Sequence, residues 1–339
     1  MISNTCFRFA LSLLITVLAL ADPLRAQITA PVSSDTSGTA IRVTLLGTGS
    51  PVPALDRFGS ATLVEAGTET LLFDAGRGVA QRLWQTRVPL SRVGTVFFTH
   101  LHSDHTVGLP DLWLTGWIPA PYGNRSASLS VRGPTGTRAM TDGLTQAFAW
   151  DLDRRSRGEG IPVAGAVFDA QDVKPGIVLE RNGVRVTAFL VDHGALLEPA
   201  YGYRVDYAGH SVVISGDTRP NENLVKAATG ADVLVHEVIA APSALLEQSQ
   251  PARRIAALHT LPEDAGRVFA RAKPRLAVYS HIVLLRLDPK IPAPELSDLI
   301  AQTRKTYDGR VEVGEDLMVI EIGAEVRVRR GAPPVRAGG

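Results

Sequence analysis

The segment Thr99–His105 constrains what this chain can fold into more than any other stretch. It follows the apolar run Val93–Phe98, which has the composition of a buried strand. Its potential metal ligands are His100, His102, Asp104 and His105. Side chains alternate along an extended backbone, so ligands two residues apart share a face, and the last one joins them as a helix begins. Imidazole and carboxylate ligands suit Zn²⁺, and also Fe or Mn in octahedral sites. The segment therefore predicts a metal site at a strand end.

The composition is that of a globular protein. The chain has 339 residues, of which 45% are hydrophobic, and this is ample apolar material for a large core. Lys and Arg total 35 against 34 Asp and Glu, so the net charge of +1 gives no overall attraction to nucleic acid. The one cysteine is Cys6, near the N-terminus. The rest of the chain therefore forms no disulfide and offers no thiolate to a metal.

The first 27 residues have the pattern of a cleavable secretory signal. Arg8 precedes the apolar run Phe9–Leu20, and a small-residue stop follows near Ala26. The run is shorter than the roughly 20 residues that a membrane span needs, so we expect no stable membrane anchor, although an uncleaved anchor is the alternative. We therefore expect a secreted or periplasmic protein. Residues 28–40 are rich in Ser, Thr, Ala and Pro and predict a flexible linker.

Further histidines and acidic residues close later apolar runs. These residues are His193, Asp217, His236 and His281. Because strand ends gather at one edge of a sheet sandwich, we expect such residues to meet. We interpret His236 as structural or as a support for a ligand, and His210, at a hairpin tip, as structural.

The pattern His-x-His-x-Asp-His at residues 100–105 resembles the signature of the metallo-β-lactamase superfamily. The turn Leu46–Pro51 (Leu-Gly-Thr-Gly-Ser-Pro) resembles the opening turn of the ribonuclease Z and arylsulfatase-like branch of that superfamily. It lacks the Gly-Lys-Ser/Thr end of a nucleotide-binding loop. The resemblance spans roughly residues 41–322 and implies an α/β fold, namely a four-layer αββα sandwich.

The chain organisation that we predict has one folded unit at residues 41–325. We interpret residues 110–180 as an insertion that covers the active site. Residues 326–339 are basic and rich in Pro and Gly, and we expect them to form a disordered tail.

The resemblance also implies a set of ligands for two metals. His100, His102 and His193 would hold one metal. Asp104, His105 and His281 would hold the other. Asp217 would bridge them, and Asp74 would support the ligand loop from behind. Two Zn²⁺ ions, with Fe or Mn as alternatives, would hold a bridging hydroxide as the nucleophile, and Asp104 counts among the catalytic residues.

His259 and Glu237 complete the predicted catalytic residues. His259 and Thr260 resemble the histidine motif with which the family assists the leaving group. We therefore expect His259 to be the general acid and Glu237 to orient it.

The substrate is harder to predict. Ribonuclease Z enzymes grip transfer RNA with an arm inserted between the landmarks that correspond to His193 and Asp217. These are 24 positions apart here, and the interval has the pattern of a hairpin. Transfer RNA is therefore not the expected partner, and the predicted export points the same way. We expect an exported dinuclear-metal hydrolase of small anionic esters, with aryl sulfate ahead of phosphodiester.

The alternative functions are an acyl hydrolase of lactones or β-lactams, a ribonuclease Z-type endonuclease, and a non-catalytic zinc-binding module. A redox di-iron role is weaker, because His102 stands where the oxygen-reducing relatives have glutamate. The sequence does not distinguish a monomer from a homodimer.

Overall fold

Most strands are apolar on both faces, and this drives two sheets to pack against each other and against helices. The structure is a computed structural model that describes residues 38–331. The strands of the first sheet are β1 (Thr39–Gly47), β2 (Ala61–Ala66), β3 (Glu69–Phe73), β4 (Thr95–Phe97), β5 (Leu129–Gly133), β6 (Phe168–Asp172), β14 (Met318–Gly323) and β15 (Val326–Arg329). Those of the second are β7 (Gly176–Arg181), β8 (Val184–Val191), β9 (Ala200–Tyr207), β10 (His210–Ile214), β11 (Val233–Ala240), β12 (Leu276–Leu284) and β13 (Val311–Val313).

The order of the first sheet is β15-β14-β1-β2-β3-β4-β5-β6, and that of the second is β13-β12-β11-β10-β9-β8-β7. Strands β3 to β6 are parallel to one another, and so are β10 to β13. Parallel strands deliver their carboxyl ends to one edge of a sheet, and ligand sites form there.

Helices cover the two outer faces. They are α1 (Val79–Thr86), α2 (Ser103–Thr106), α3 (Leu109–Trp117), α4 (Thr137–Ala147), α5 (Ala149–Gly158), α6 (Glu222–Ala228), α7 (Ser243–Gln248), α8 (Gln250–Ala256), α9 (Pro262–Ala272) and α10 (Leu296–Thr303). Apolar residues of α1, α3 and α4 pack on the first sheet, and those of α6, α9 and α10 pack on the second. The predicted four-layer αββα sandwich is confirmed.

Three aromatic rings join the sheets at the centre of the core. Phe73 and Phe97 of the first sheet stack with ring centroids 5.0 Å apart, and each lies 5.4 Å from the ring of Tyr203 in the second sheet. Such rings combine large buried area with specific packing geometry. The Tyr203 hydroxyl donates to the carbonyl oxygen of Phe98 at 2.7 Å, so this contact fixes the end of β4 next to the histidine segment.

A buried carboxylate fastens the turn after β1. Asp316 accepts hydrogen bonds from the backbone N–H groups of Thr48 at 2.9 Å and Phe58 at 2.7 Å. It also pairs with Arg82 at 2.8 Å, and the two side chains are only 4% and 7% exposed. Thr48 in turn accepts a hydrogen bond from the N–H of Ile282 at 2.9 Å. The turn is therefore tied to the strand that carries His281.

The structure corrects the predicted chain organisation. Residues 110–180, predicted to cover the active site, supply β5 and β6 of the first sheet and β7 of the second. Their outward-facing helices pack on the first sheet, so most of this range belongs to the sandwich itself.

The predicted ends of the folded unit also shift. Residues 326–329, assigned to a disordered tail, form β15 and pair with β14, and Thr39 and Ala40 of the predicted linker already lie in β1. The predicted signal at residues 1–27 and the tail residues 332–339 lie outside the described part. Within residues 38–331, no helix is long and apolar enough to span a membrane.

We predict that Asp316→Ala lowers the free energy of unfolding by about 3–5 kcal/mol, because it leaves the buried Arg82 guanidinium without its partner. Urea unfolding of the purified protein measures this change. Glu180→Ala is the control, because it removes one partner of the exposed Glu180–Arg185 pair and should leave stability close to that of the wild type. Equal effects of the two substitutions would contradict the proposed role of Asp316.

Candidate metal centre

The histidine segment is shaped by Asp74, which follows β3. Asp74 accepts a hydrogen bond from the N–H of Thr99 at 2.8 Å, and its other oxygen lies 2.8 Å from Nδ1 of His105. The aspartate has a positive φ of 60°, a conformation that Asp tolerates better than most residues. It thus holds the start of the segment and one of its histidines from behind, as predicted.

Asp217, in the turn that follows β10, lies at the centre of the site. It is 3% exposed, and its Oδ2 atom lies within 3.9 Å of the Nε2 atoms of four histidines. These are His281 at 3.3 Å, His105 at 3.5 Å, and His100 and His193 at 3.9 Å. A carboxylate in this position can contact two cations at once.

The two predicted ligand sets are each assembled. The ligand atoms of His100, His102 and His193 all lie within 4.8 Å of one another. Those of Asp104, His105 and His281 do the same. Asp217 also groups with His100 of the first set and His105 of the second, which is the arrangement that a bridging ligand requires.

Several ligand atoms have no hydrogen-bond partner within residues 38–331. They include Nε2 of His105 and Nε2 of His193, both fully buried. Burying a polar group without a partner is costly, so such atoms point to a ligand. Imidazole nitrogens and carboxylate oxygens are suitable donors for a divalent cation, so the residues present fit a metal centre.

The electrostatics of the histidines agree with metal binding. Burial lowers the pKa of His100 far below its usual value and also lowers the pKa of His193. Both imidazoles are therefore neutral, which is the form that binds metals. Burial acts in the same direction on His105, but the carboxylates of Asp217 and Asp74 outweigh it and raise the pKa of His105 well above its usual value. The site therefore stabilises a positive charge.

Asp217 itself is held in the ionised form. Burial alone would raise its pKa, but the neighbouring His281 and His105 imidazoles outweigh burial and hold the pKa of Asp217 well below its usual range. The carboxylate is therefore charged and can act as a ligand at neutral pH.

Outer hydrogen bonds fix three of the imidazole rings. Nδ1 of His105 faces Asp74 at 2.8 Å, and Nδ1 of His193 lies 3.0 Å from the carbonyl oxygen of Leu258. Nδ1 of His100 lies 3.1 Å from the hydroxyl of Thr99. In metal sites such contacts orient the ring and leave Nε2 free for the ion.

His259 and Glu237 lie beside the ligand sets, as predicted. Nδ1 of His259 is 3.2 Å from Oε2 of Glu237, and the His259 ring stacks on that of His281 at 5.7 Å. Burial would lower the pKa of His259, but the Glu237 carboxylate outweighs it and raises the pKa to about 9. His259 therefore favours its protonated form at neutral pH.

The residues that hold Glu237 had no recognisable sequence pattern. Oε1 of Glu237 accepts hydrogen bonds from the N–H groups of Thr260 at 2.9 Å and Thr218 at 3.2 Å. The hydroxyl of Thr260 also donates to the carbonyl oxygen of Thr218 at 2.6 Å. The only indication in the sequence was that Thr218 directly follows Asp217 and that Thr260 directly follows His259.

Two predicted strand ends are wrong. Strand β11 continues through Glu237 to Ala240, and β12 continues through His281 to Leu284. The register between them shifts after His236, and His281 has a φ of 43°. These irregularities turn Glu237 and His281 towards the site without ending the strands. The ring of His236 instead contacts Phe269 at 5.5 Å, on the helix side, which agrees with a structural role.

Comparisons with known proteins identify the family. The family model for the beta-lactamase superfamily domain matches residues 69–282. A relative named Ribonuclease Z from Mycobacterium marinum is 36% identical over 284 residues, which are 84% of this chain and 99% of the relative. The chain belongs to the metallo-β-lactamase superfamily, in its ribonuclease Z branch. It is therefore a hydrolase of that superfamily, and the predicted family is confirmed.

Further comparisons agree. The protein named Ribonuclease Z from Mycolicibacterium gilvum is 33% identical over 83% of this chain and 96% of the relative. The crystal structure of the metallo-beta-lactamase fold protein YhfI from Bacillus subtilis matches with a TM-score of 0.63 and 18% identity, over 83% of this chain and 98% of that chain. The crystal structure of human tRNase Z, short form, matches with a TM-score of 0.60 and 22% identity, over 83% of this chain and 99% of that chain. At these identities the two structures support the fold alone.

These relatives overturn the predicted substrate. The prediction of a hydrolase of small anionic esters, with aryl sulfate as the leading substrate, is wrong, and so is the expectation that transfer RNA is an unlikely partner. The prediction relied on the short interval between His193 and Asp217, which the structure fills with β9 and β10. A relative matched over 99% of its length nevertheless carries the name Ribonuclease Z, so this interval does not exclude the branch.

We predict that Asp217→Asn reduces the bound metal from about two ions to one or fewer per chain, because it removes the charge shared by both ligand sets. Elemental analysis of purified protein measures this. Asp232→Asn is the matched control, since Asp232 is also a buried carboxylate of the second sheet but lies at the start of β11, at the opposite end from Asp217. Unchanged metal content in Asp217→Asn would contradict the bridging role.

Proposed function

We propose that this chain is a metal-dependent endonuclease of the ribonuclease Z type, which hydrolyses a phosphodiester bond of transfer RNA. The observation that carries the proposal is the 36% identity over nearly the whole length of a protein named Ribonuclease Z. Support also comes from the seven potential ligands, which converge as the family resemblance implies.

We propose two Zn²⁺ ions as the metals. The triad of His100, His102 and His193 would hold one, and Asp104, His105 and His281 would hold the other, with Asp217 shared. Imidazole-rich sites completed by carboxylates favour zinc over harder cations such as Mg²⁺. When bound, the cations supply a nucleophile from water at neutral pH and neutralise charge on the phosphate.

The role proposed for His259 is to protonate the leaving ribose oxygen. Its Nδ1 faces Glu237, so its Nε2 edge is free to donate to a substrate. Glu237 stabilises the protonated ring, and the proton on Nε2 would pass to the ribose oxygen as the phosphorus–oxygen bond breaks. Thr218 and Thr260 keep Glu237 in place through their backbone N–H groups.

We predict that purified protein cleaves a transfer RNA precursor at one site and that a chelator abolishes the cleavage. His259→Ala should reduce RNA cleavage about 10²–10⁴-fold, because a ribose oxygen is a poor leaving group that needs a proton. A bis-aryl phosphate, with a good leaving group, should lose much less activity. Quantitative gel assays and a chromogenic assay measure the two rates.

The matched control is His210→Ala, which replaces a histidine at the hairpin tip that pairs with Asp232. It should leave both rates unchanged. Equal losses on both substrates in His259→Ala would remove the general-acid role, and intact transfer RNA precursor in the presence of zinc-loaded wild-type protein would refute the proposed function.

Export is a separate proposal, based on the signal pattern of residues 1–27. We predict that cell fractionation and N-terminal sequencing find a mature form that begins near residue 28 in the exported fraction. Full-length protein in the cytoplasm would contradict this. The RNA assay uses purified protein, so its result is independent of localisation.

A further inference from the structure

Two of the five ligand histidines, His102 and His281, lack the kind of outer contact that orients the other three, and His281 is the buried one of the two. His281 directs Nε2 towards Asp104 and Asp217, at 3.3 Å from an oxygen of each. Its Nδ1 is buried and has no hydrogen-bond partner within residues 38–331. A ligand bound to Nε2 does not satisfy Nδ1, because the two nitrogens lie on different edges of the ring.

Two more buried polar atoms without a partner occur beside it. They are the hydroxyl oxygen of Ser280 and Oδ1 of Asp217, the carboxylate oxygen that is not directed at the four histidines. Three unpaired polar atoms in one place are unusual, because nearly all buried polar groups in proteins find a partner.

A small cavity explains how these atoms can be satisfied. Its volume is about 20 Å³, and its lining includes Ser280, His281 and Asp217 from the second sheet and Asp74 and His105 from the first. The lining does not include His100, His102, Asp104 or His193, so the cavity lies on the core side of Asp217. A buried water needs roughly 10–15 Å³ and two to four polar partners, and this cavity provides both.

We propose that one buried water molecule in this cavity joins Nδ1 of His281, Oδ1 of Asp217 and Oγ of Ser280, so that Ser280 is a positioning residue for the metal centre. The Nδ1–H of His281 donates to the water oxygen. The water donates a hydrogen bond to Oδ1 of Asp217, and the hydroxyl of Ser280 completes the hydrogen bonds of the water.

The water network has a definite consequence for the two metals. It would fix the tautomer of His281 with Nε2 unprotonated, and it would keep Oδ1 of Asp217 bonded to the water while Oδ2 stays directed at the ligand histidines. Outer hydrogen bonds of this kind typically contribute 10–100-fold to metal affinity. This inference rests on the proposed zinc centre. It makes Ser280 the residue that positions His281 through the water.

The first test is a high-resolution crystal structure of the zinc-loaded wild-type protein. We expect one ordered water within hydrogen-bond distance, about 2.7–3.2 Å, of all three atoms. A dry cavity, or a direct hydrogen bond from Ser280 to His281, would overturn the inference while leaving the zinc centre intact. A wild-type protein that binds no zinc would instead refute the proposed centre, so the two failures are distinguishable.

The second test is Ser280→Ala, with zinc affinity measured by chelator competition for each of the two equivalents. We expect the equivalent bound by Asp104, His105 and His281 to weaken about 10–100-fold and the other to change little. Unchanged affinity, or equal weakening of both equivalents, would overturn the role of Ser280.

Thr95→Val is the matched control for the second test. The hydroxyl of Thr95 is also buried and has no partner among the described residues, but Thr95 does not line the cavity and lies at the opposite end of β4 from the histidine segment. This variant should bind both zinc equivalents as the wild type does. Thermal unfolding of the metal-free proteins separates a loss of folding from a loss of affinity.

Discussion

The structure is organised around one buried charge, the carboxylate of Asp217. An ionised group that is almost wholly buried is stable only if positive charge or strong donors surround it. Four imidazoles approach its Oδ2 atom within 3.9 Å, and two of them, His105 and His281, hold it in the ionised form. Without bound cations, burying so many imidazole nitrogens and carboxylate oxygens without partners would cost stability. The burial of these groups therefore argues for bound metals.

The sandwich brings the carboxylate of Asp217 and the surrounding histidines to one edge of the two sheets. The histidine segment follows β4 of the first sheet, whereas His193 and Asp217 follow strands of the second sheet and His281 lies within one. The stacked rings of Phe73, Phe97 and Tyr203 hold the two sheets in register. Asp316 ties the turn at Thr48 to the strand of His281, so rigid elements support both metal sites.

Local spacing allowed much of the centre to be predicted from sequence. Alternation along an extended backbone groups His100 and His102, and the helix turn that follows adds His105. Tertiary irregularities were not predictable: the register shift after His236 and the positive φ of His281 depend on packing between β11 and β12. Strand β6, at the sheet edge, was missed because Phe168–Asp172 is mostly exposed and lacks an apolar run. The substrate was mispredicted because one fold supports many substrates.

Anomalous diffraction from crystals of the zinc-loaded protein, measured above and below the zinc absorption edge, tests the central claim most directly. The account predicts two peaks about 3.5–4 Å apart, each within about 2.0–2.2 Å of ligand atoms from one triad, with Asp217 touching both. No peak between the triads, or a single peak that does not contact Asp217, would contradict it.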